Sequence, residues 1–327
     1  MAIYTRILGF GHYLPAKVMT NADFEKMVET SDEWIRTRTG IRERHFTGEG
    51  ESASTMATEA AKRVLEKTGV SKEDIDAIIV ATVTADMHYP STAALVQRGL
   101  GIARHIPSFD IGAACAGFVF GLTIADAFIK SGMARTLLLI GTENLSKFTD
   151  MQDRNTCVLF GDGAGAAIVQ ASDRPGLLAG HLGTDGFFSH LIELPAGGSR
   201  MPASHETVEK RLHYTRMEGQ EVYKQAVKDM SEAALEAMKI AGLTVDQVSW
   251  FIPHQANTRI IETVGKRLNV PMEKVFQNIG HVGNTSAASI PIALSEMEEK
   301  GLLKRDQYVV LTALGSGLTY GSVAFRY

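Results

Sequence analysis

The chain has 327 residues, 45% hydrophobic and 21% charged, enough apolar material for a large core and a length that suggests about two lobes. Its formal net charge of -4 offers no global basic field for nucleic acid or an anionic membrane, and two cysteines, Cys115 and Cys157, are too few for a disulfide framework. The first residues lack a basic-then-apolar secretion signal and no apolar run approaches the ~18 residues of a membrane span, so a reducing cytoplasm is the expected location.

In chain order, the first clear helical pattern covers 54–68, with Ala57, Ala60, Ala61, Val64 and Leu65 in register. The runs Ala77-Ile78-Ile79-Val80-Ala81, Thr136-Leu137-Leu138-Leu139-Ile140 and Tyr308-Val309-Val310-Leu311 read as strands buried on both faces. Between the first two, Phe118, Leu122, Ala125, Phe128 and Ile129 predict a buried helix over 116–131. Alternation of this kind argues for a layered α/β fold. The stretch 195–216 mixes glycine, proline and charge without periodicity and reads as a surface excursion, a feature that often borders a site.

A faint internal repeat runs through the chain. Asp76-Ala77-Ile78-Ile79-Val80-Ala81 is echoed by Val248-Ser249-Trp250-Phe251-Ile252. Ile111-Gly112-Ala113-Ala114-Cys115, its helix and the strand 135–140 then recur as Ile279-Gly280-His281-Val282-Gly283-Asn284, a helix ending near Gly301 and the strand 307–311. Both helices close on a glycine, Gly132 and Gly301, suited to a left-handed cap. Two similar halves, 1–172 and 173–327, each with its own sheet, are expected, joined near 171–176. The alignment sets Asn284 opposite Cys115, with the two helix starts facing a shared centre.

Three residues stand at strand-to-helix junctions. Cys115, flanked by small residues, would occupy a helix N-terminus, where the dipole favours a thiolate and backbone N–H groups can face an oxyanion. His254, in Phe251-Ile252-Pro253-His254-Gln255-Ala256-Asn257, lies at a strand end, where open α/β sheets place ligands. Asn257 is a suitable N-cap for a helix over 258–268. Taken singly, each residue has a plain structural reading: free cysteine is commonly a small core residue, a lone histidine a satisfied structural one, and Asn284 a helix cap.

Together these motifs resemble the β-ketoacyl-acyl carrier protein synthase III family of the thiolase-fold superfamily. The likeness is carried by Ala113-Ala114-Cys115-Ala116-Gly117-Phe118, Pro253-His254-Gln255-Ala256-Asn257 and Gly283-Asn284-Thr285-Ser286-Ala287-Ala288-Ser289. It extends to Ser31-Asp32-Glu33-Trp34-Ile35, Thr37-Arg38-Thr39-Gly40-Ile41-Arg42 and Phe160-Gly161-Asp162-Gly163-Ala164-Gly165-Ala166, and spans residues 7–327. The resemblance implies a five-layered αβαβα fold and an acyltransferase that condenses an acyl-CoA primer with malonyl-acyl carrier protein, initiating fatty acid synthesis. Cys115 would form an acyl-enzyme. His254 and Asn284 would stabilise the enolate left by carbon dioxide loss. The backbone N–H groups of Cys115 and Ser316 would form a second oxyanion site, although relatives usually carry glycine where Ser316 stands.

The resemblance further implies CoA binding by Trp34, Arg38, Arg154 and Asn257, with an adenine stacked between Trp34 and Arg154. It implies an acyl pocket closed across a homodimer interface by Tyr89, a position more often phenylalanine. An acidic carrier protein would dock on Lys224, Arg259, Lys266 and Arg267. No cofactor and no metal are implied; CoA enters as substrate. Asn284 departs from elongating relatives, which place a second histidine there. The loop Leu314-Gly315-Ser316-Gly317-Leu318 lacks the second cysteine of thiolases. Rival readings are a specialised starter synthase of secondary metabolism, a cysteine thioester hydrolase and a non-catalytic acyl-CoA binder. Gly161-Asp162-Gly163-Ala164-Gly165 precedes a strand-like run rather than a helix, against a dinucleotide site. No metal-ligand spacing occurs.

Overall fold

A computed structural model describes residues 3–327. Among the described residues two large sheets form the frame. In the first, Tyr4–Tyr13 pairs with Asp162–Ser172, followed across the sheet by Thr136–Asn144, Ala77–Ala81 and Ser108–Ile111. In the second, Leu177–Thr184 pairs with Thr319–Arg326, then Tyr308–Gly315 and Val248–Pro253. The order and the senses match strand for strand: an antiparallel pair, a second antiparallel pairing, then a parallel one. A fifth position survives in the second sheet only as the isolated parallel bridge Phe251–Val275. The first sheet's last-paired strand ends at Ser172 and the second sheet begins at Leu177.

Five layers result. The helices Gly117–Lys130 and Ser289–Glu299 lie between the sheets, and their residues Phe118, Leu122, Ile290 and Leu294 share one core with both inner sheet faces. Every residue from Ser289 to Met297 is buried, because this helix meets a sheet on either side and has no solvent face. Ala53–Thr68 covers the outer face of the first sheet through Met56, Ala57, Ala60 and Val64. Gly219–Ala241 and Thr258–Arg267 cover the second through Val222, Ala226, Met230 and Ile261. Among the described residues, no helix is long and apolar enough to cross a membrane.

Local chemistry explains the boundaries. Ser52 caps Ala53–Thr68 with a reciprocal box to Thr55, and Asn257 accepts from the Arg259 N–H at 2.8 Å to start Thr258–Arg267. Gly132 and Gly301 follow the two central helices at φ of +77° and +66°. The 195–216 excursion leaves from a two-stranded hairpin, Ile192–Glu193 against Arg216–Met217, and carries one short helix, His205–Glu209.

The register of the repeat differs from the sequence alignment. Ahead of each central helix stands a 3-10 turn, Ala114–Ala116 and Ser286–Ala288, entered through a left-handed residue, Ala114 at φ +45° and Ser286 at +48°. Matching those residues aligns Cys115 with Ala287 and places Asn284 opposite Gly112. The short helix Ile279–Val282 causes the offset, for it occupies positions that have no helical counterpart before Cys115.

The two turns pack at van der Waals distance: a methyl on Gly117 would meet the Cβ of Ala287 at 3.4 Å and that of Ala81 at 2.8 Å. A methyl on Gly141 would run into the carbonyl of Ala287. Gly141→Ala is therefore expected to destabilise the fold by ~1–3 kcal/mol, the usual cost of overpacking. Urea unfolding would measure it; an unchanged midpoint would show that the Ser286–Ala288 turn yields freely.

Candidate active site

Cys115 lies at the end of Tyr308–Gly315, whose last residue must be glycine: a Cβ on Gly315 would come within 2.5 Å of the Cys115 nitrogen. Ser316 follows, with its hydroxyl donating to the Ile192 carbonyl at 2.6 Å. His254 ends Val248–Pro253, and its backbone N–H donates to the Thr312 carbonyl of the neighbouring strand at 2.8 Å. Asn284 is held opposite Phe160 by its neighbours Leu159 and Gly161: the Asn284 N–H donates to the Leu159 carbonyl and the Gly161 N–H to the Asn284 carbonyl, both at 2.9 Å. Gly283 precedes it at φ +72° with Arg44 packed alongside, which accounts for glycine in both motifs.

Cys115, His254, Asn284 and Ser316 line one cavity of about 1010 Å³. The buried residues His254, Asn284 and Ser286 mark its base, and the exposed Arg38, Lys224 and Arg259 its mouth. Trp34 and Asn257 also line it. Ile192, Leu194 and Met217 form part of its wall, so the excursion seen in the sequence springs from the cavity's edge.

The polar groups at the base have defined roles. Ser289 Oγ lies 2.7 Å from His254 Nδ1 and accepts from the Gln255 N–H at 3.4 Å. With the Ser289 hydroxyl proton given to Nδ1, the imidazole would carry its own proton on Nε2 and present an N–H to the cavity. Burial lowers the His254 pKa to about 3, so the ring is a neutral donor. Asn284 Oδ1 accepts the Ser286 N–H at 2.9 Å, which leaves the Nδ2 hydrogens for the cavity.

The thiol departs from the expected anion. Burial pushes Cys115 up to about 12; a hydrogen bond from Ser286 opposes the rise and the nearby Glu143 adds to it. A helix terminus contributes about 0.3–1 kcal/mol, less than one pKa unit, and cannot offset desolvation of that size. At rest Cys115 is a neutral thiol facing the cavity.

At the mouth, Trp34 is flanked by two guanidinium groups, Arg38 at 4.7 Å and Arg154 at 5.1 Å from the ring centroid. Arg154 is fastened to the Glu29 carbonyl at 2.9 Å. The Asn257 amide donates to the Arg38 carbonyl at 3.0 Å. Lys224 pairs with Glu221 at 2.6 Å and Arg267 with Glu232 at 3.4 Å. Lys266 and Arg267 sit two turns along their helix from Arg259, roughly 11–12 Å away. Tyr89 is 85% exposed and does not line the cavity of its own chain.

Residues 109–186 match the family model for 3-oxoacyl-[acyl-carrier-protein (ACP)] synthase III, and residues 238–327 that for its C-terminal part. A β-ketoacyl-[acyl-carrier-protein] synthase III of Caldanaerobacter subterraneus subsp. tengcongensis is 54% identical, covering 98% of this chain and 97% of that protein. The chain belongs to the β-ketoacyl-[acyl-carrier-protein] synthase III family. A synthase III crystal structure from Aquifex aeolicus superposes with a TM-score of 0.91 at 48% identity, covering 99% of this chain and 100% of the other. The priming β-ketosynthase of the R1128 polyketide pathway, at 36% identity and a TM-score of 0.92, covers 99% and 96%.

Within this synthase III chain the sequence reading passed over Glu143, Ser286, Ser289 and Thr84. Glu143 closes the strand Thr136–Asn144, fully buried. It accepts from Thr84 Oγ1, Ser286 Oγ at 3.0 Å and the Val83 N–H at 3.2 Å. A glutamate near the end of an apolar strand was the available signal. The His254 assignment predicts an Nε2-protonated ring with no titration between pH 5 and 8, readable from imidazole nitrogen shifts. A ring that gains a proton near pH 6.5 would contradict it.

Proposed function

We propose that this chain condenses an acyl-CoA primer with malonyl-acyl carrier protein to a 3-oxoacyl-acyl carrier protein, through an acyl group carried on Cys115. The observation that carries the reading is the convergence of Cys115, His254 and Asn284 at the base of one cavity that opens beside Trp34 and Arg38. Loss of carbon dioxide leaves an enolate and needs no base at carbon; it needs donors for the thioester oxygen. A neutral His254 Nε2–H and the Asn284 amide are two such donors in a dry site. The backbone N–H groups of Cys115 and Ser316 would serve the tetrahedral states on sulfur.

CoA would enter past Trp34, Arg38 and Asn257. An adenine between Trp34 and Arg154 needs about 7 Å, two contact distances, so the guanidinium would swing outward from its 5.1 Å position. Lys224 and Arg259 stand where an acidic carrier protein would meet the mouth, with Lys266 and Arg267 extending the same helix flank. The exposure of Tyr89 suits a ring that completes the acyl pocket of a second copy in a homodimer. The chemistry draws on no cofactor; the CoA thioester is substrate.

Intact mass spectrometry with a panel of acyl-CoAs tests the reading. An adduct on Cys115 is expected that clears only when malonyl-acyl carrier protein is added, and that Cys115→Ser abolishes. Asn284→Ala is expected to retain acylation while condensation falls ~10²–10³-fold, the usual loss for one oxyanion donor. Net hydrolysis without condensation would favour a thioester hydrolase, and binding without acylation a non-catalytic acyl-CoA binder.

A further inference from the structure

The acylation step has an unassigned requirement. Cys115 is a neutral thiol, and its proton must go somewhere as sulfur attacks the primer. His254 is a weak base, since burial lowers its pKa to about 3, and its Nδ1 is already engaged by Ser289. Asn284 has no basic atom.

One buried carboxylate, Glu143, stands behind the base of the cavity and is bonded to Ser286, which lines the cavity together with Cys115. Ser286 Oγ donates to Glu143 Oε1 at 3.0 Å, and its turn packs against the turn that carries Cys115, so its remaining lone pair can accept the thiol proton. Glu143 takes further bonds from Thr84 Oγ1, the Val83 N–H at 3.2 Å and Thr82 Oγ1 at 3.3 Å. Among the described residues no lysine or arginine pairs with it. The groups facing it from the loop after Ala77–Ala81 are uncharged, and its titratable neighbour is Cys115 on the opposing turn. A structural carboxylate in a core is normally matched by a cation; this one is matched only by uncharged donors, one of which, Ser286, stands on the turn facing the nucleophile.

We infer that Glu143, acting through Ser286, is the proton acceptor for Cys115 in acyl transfer. The inference rests on the acyl-Cys115 reading above. As the sulfur pair forms the new C–S bond to the primer carbonyl carbon, the thiol proton passes to Ser286 Oγ and the Ser286 proton to Glu143. The primer's bond to the CoA sulfur breaks with its electron pair, and the proton returns from Glu143 through Ser286 to that sulfur. One proton moves from enzyme thiol to CoA thiol, and Glu143 ends ionised as it began. Burial raises the Glu143 pKa to about 7, which suits a group that takes and returns a proton near neutrality.

Two rates measured on the same full-length protein test this: acylation of Cys115 in a single turnover by whichever acyl-CoA of the panel labels it fastest, and alkylation of Cys115 by iodoacetamide, located by peptide mass. In the wild type, acylation is expected to rise with pH through an inflection near 7 as Glu143 ionises. Glu143→Gln is expected to remove the inflection and slow acylation about 100-fold, the lower range for proton-transfer assistance. Alkylation should fall far less than acylation, because iodide leaves without needing the proton returned to it. Glu143→Asp should recover part of the acylation rate. Glu143→Gln that acylates as fast as wild type, or loses both rates together, overturns the relay. Should Glu143→Gln not fold, Ser286→Ala is judged by the same two rates. A wild-type chain that alkylates but accepts no acyl group would instead sink the condensing function itself.

Discussion

The site depends on the close approach of two helix entries. The turns Ala114–Ala116 and Ser286–Ala288 come from opposite halves of the chain and touch at the centre of the molecule, each entered through a left-handed residue. Left-handed backbone costs a residue with a Cβ about 1–2 kcal/mol, a strain that persists only where surroundings over-determine it. Here the surroundings are small by composition: Gly117, Gly141, Gly315, Ala81 and Ala287 leave backbone against backbone. A larger side chain at these points would part the two halves and carry Cys115 away from Asn284 and Ser286.

Packing of that density also sets the chemistry. The two halves of the five-layered fold enclose the base of the cavity so fully that desolvation outweighs the ordinary tendencies of its groups. It drives the thiol, the imidazole and the Glu143 carboxyl alike toward their neutral forms. For His254 this is no handicap, since a neutral ring still offers the N–H donor that an enolate needs. For Cys115 it is a cost, because the nucleophile has to lose a proton during attack. The hydrogen-bonded path from sulfur to Glu143 is the feature of the site that answers this cost.

Much of this was legible along the chain, for identifiable reasons. Strands buried on both faces, such as 77–81 and 136–144, are continuous apolar runs and stand out at once. The caps at Asn257, Gly132 and Gly301 are local hydrogen-bond and torsion requirements, carried by residue type. Cys115, His254 and Asn284 could be picked out because each sits in a short motif whose glycines and proline answer to nearby backbone. The register of the repeat could not be read so well: similar glycine spacing set Asn284 opposite Cys115, three residues short of Ala287, because the short helix Ile279–Val282 has no helical counterpart in the first half.

By itself, then, the sequence determined the layers, the duplicated halves and the types of group available for chemistry, because these follow from periodicity and local conformational preference. Tertiary structure alone decided which groups meet. Glu143 and Ser286 are separated by 143 positions and are joined by one hydrogen bond. No local pattern marks that pairing, since it arises from the way two sheets hold their strand ends around a common centre. Protonation state was likewise undecided by the sequence: it follows from how much water the finished fold excludes from a sulfur, an imidazole and a carboxyl, and that quantity exists only once the halves have closed.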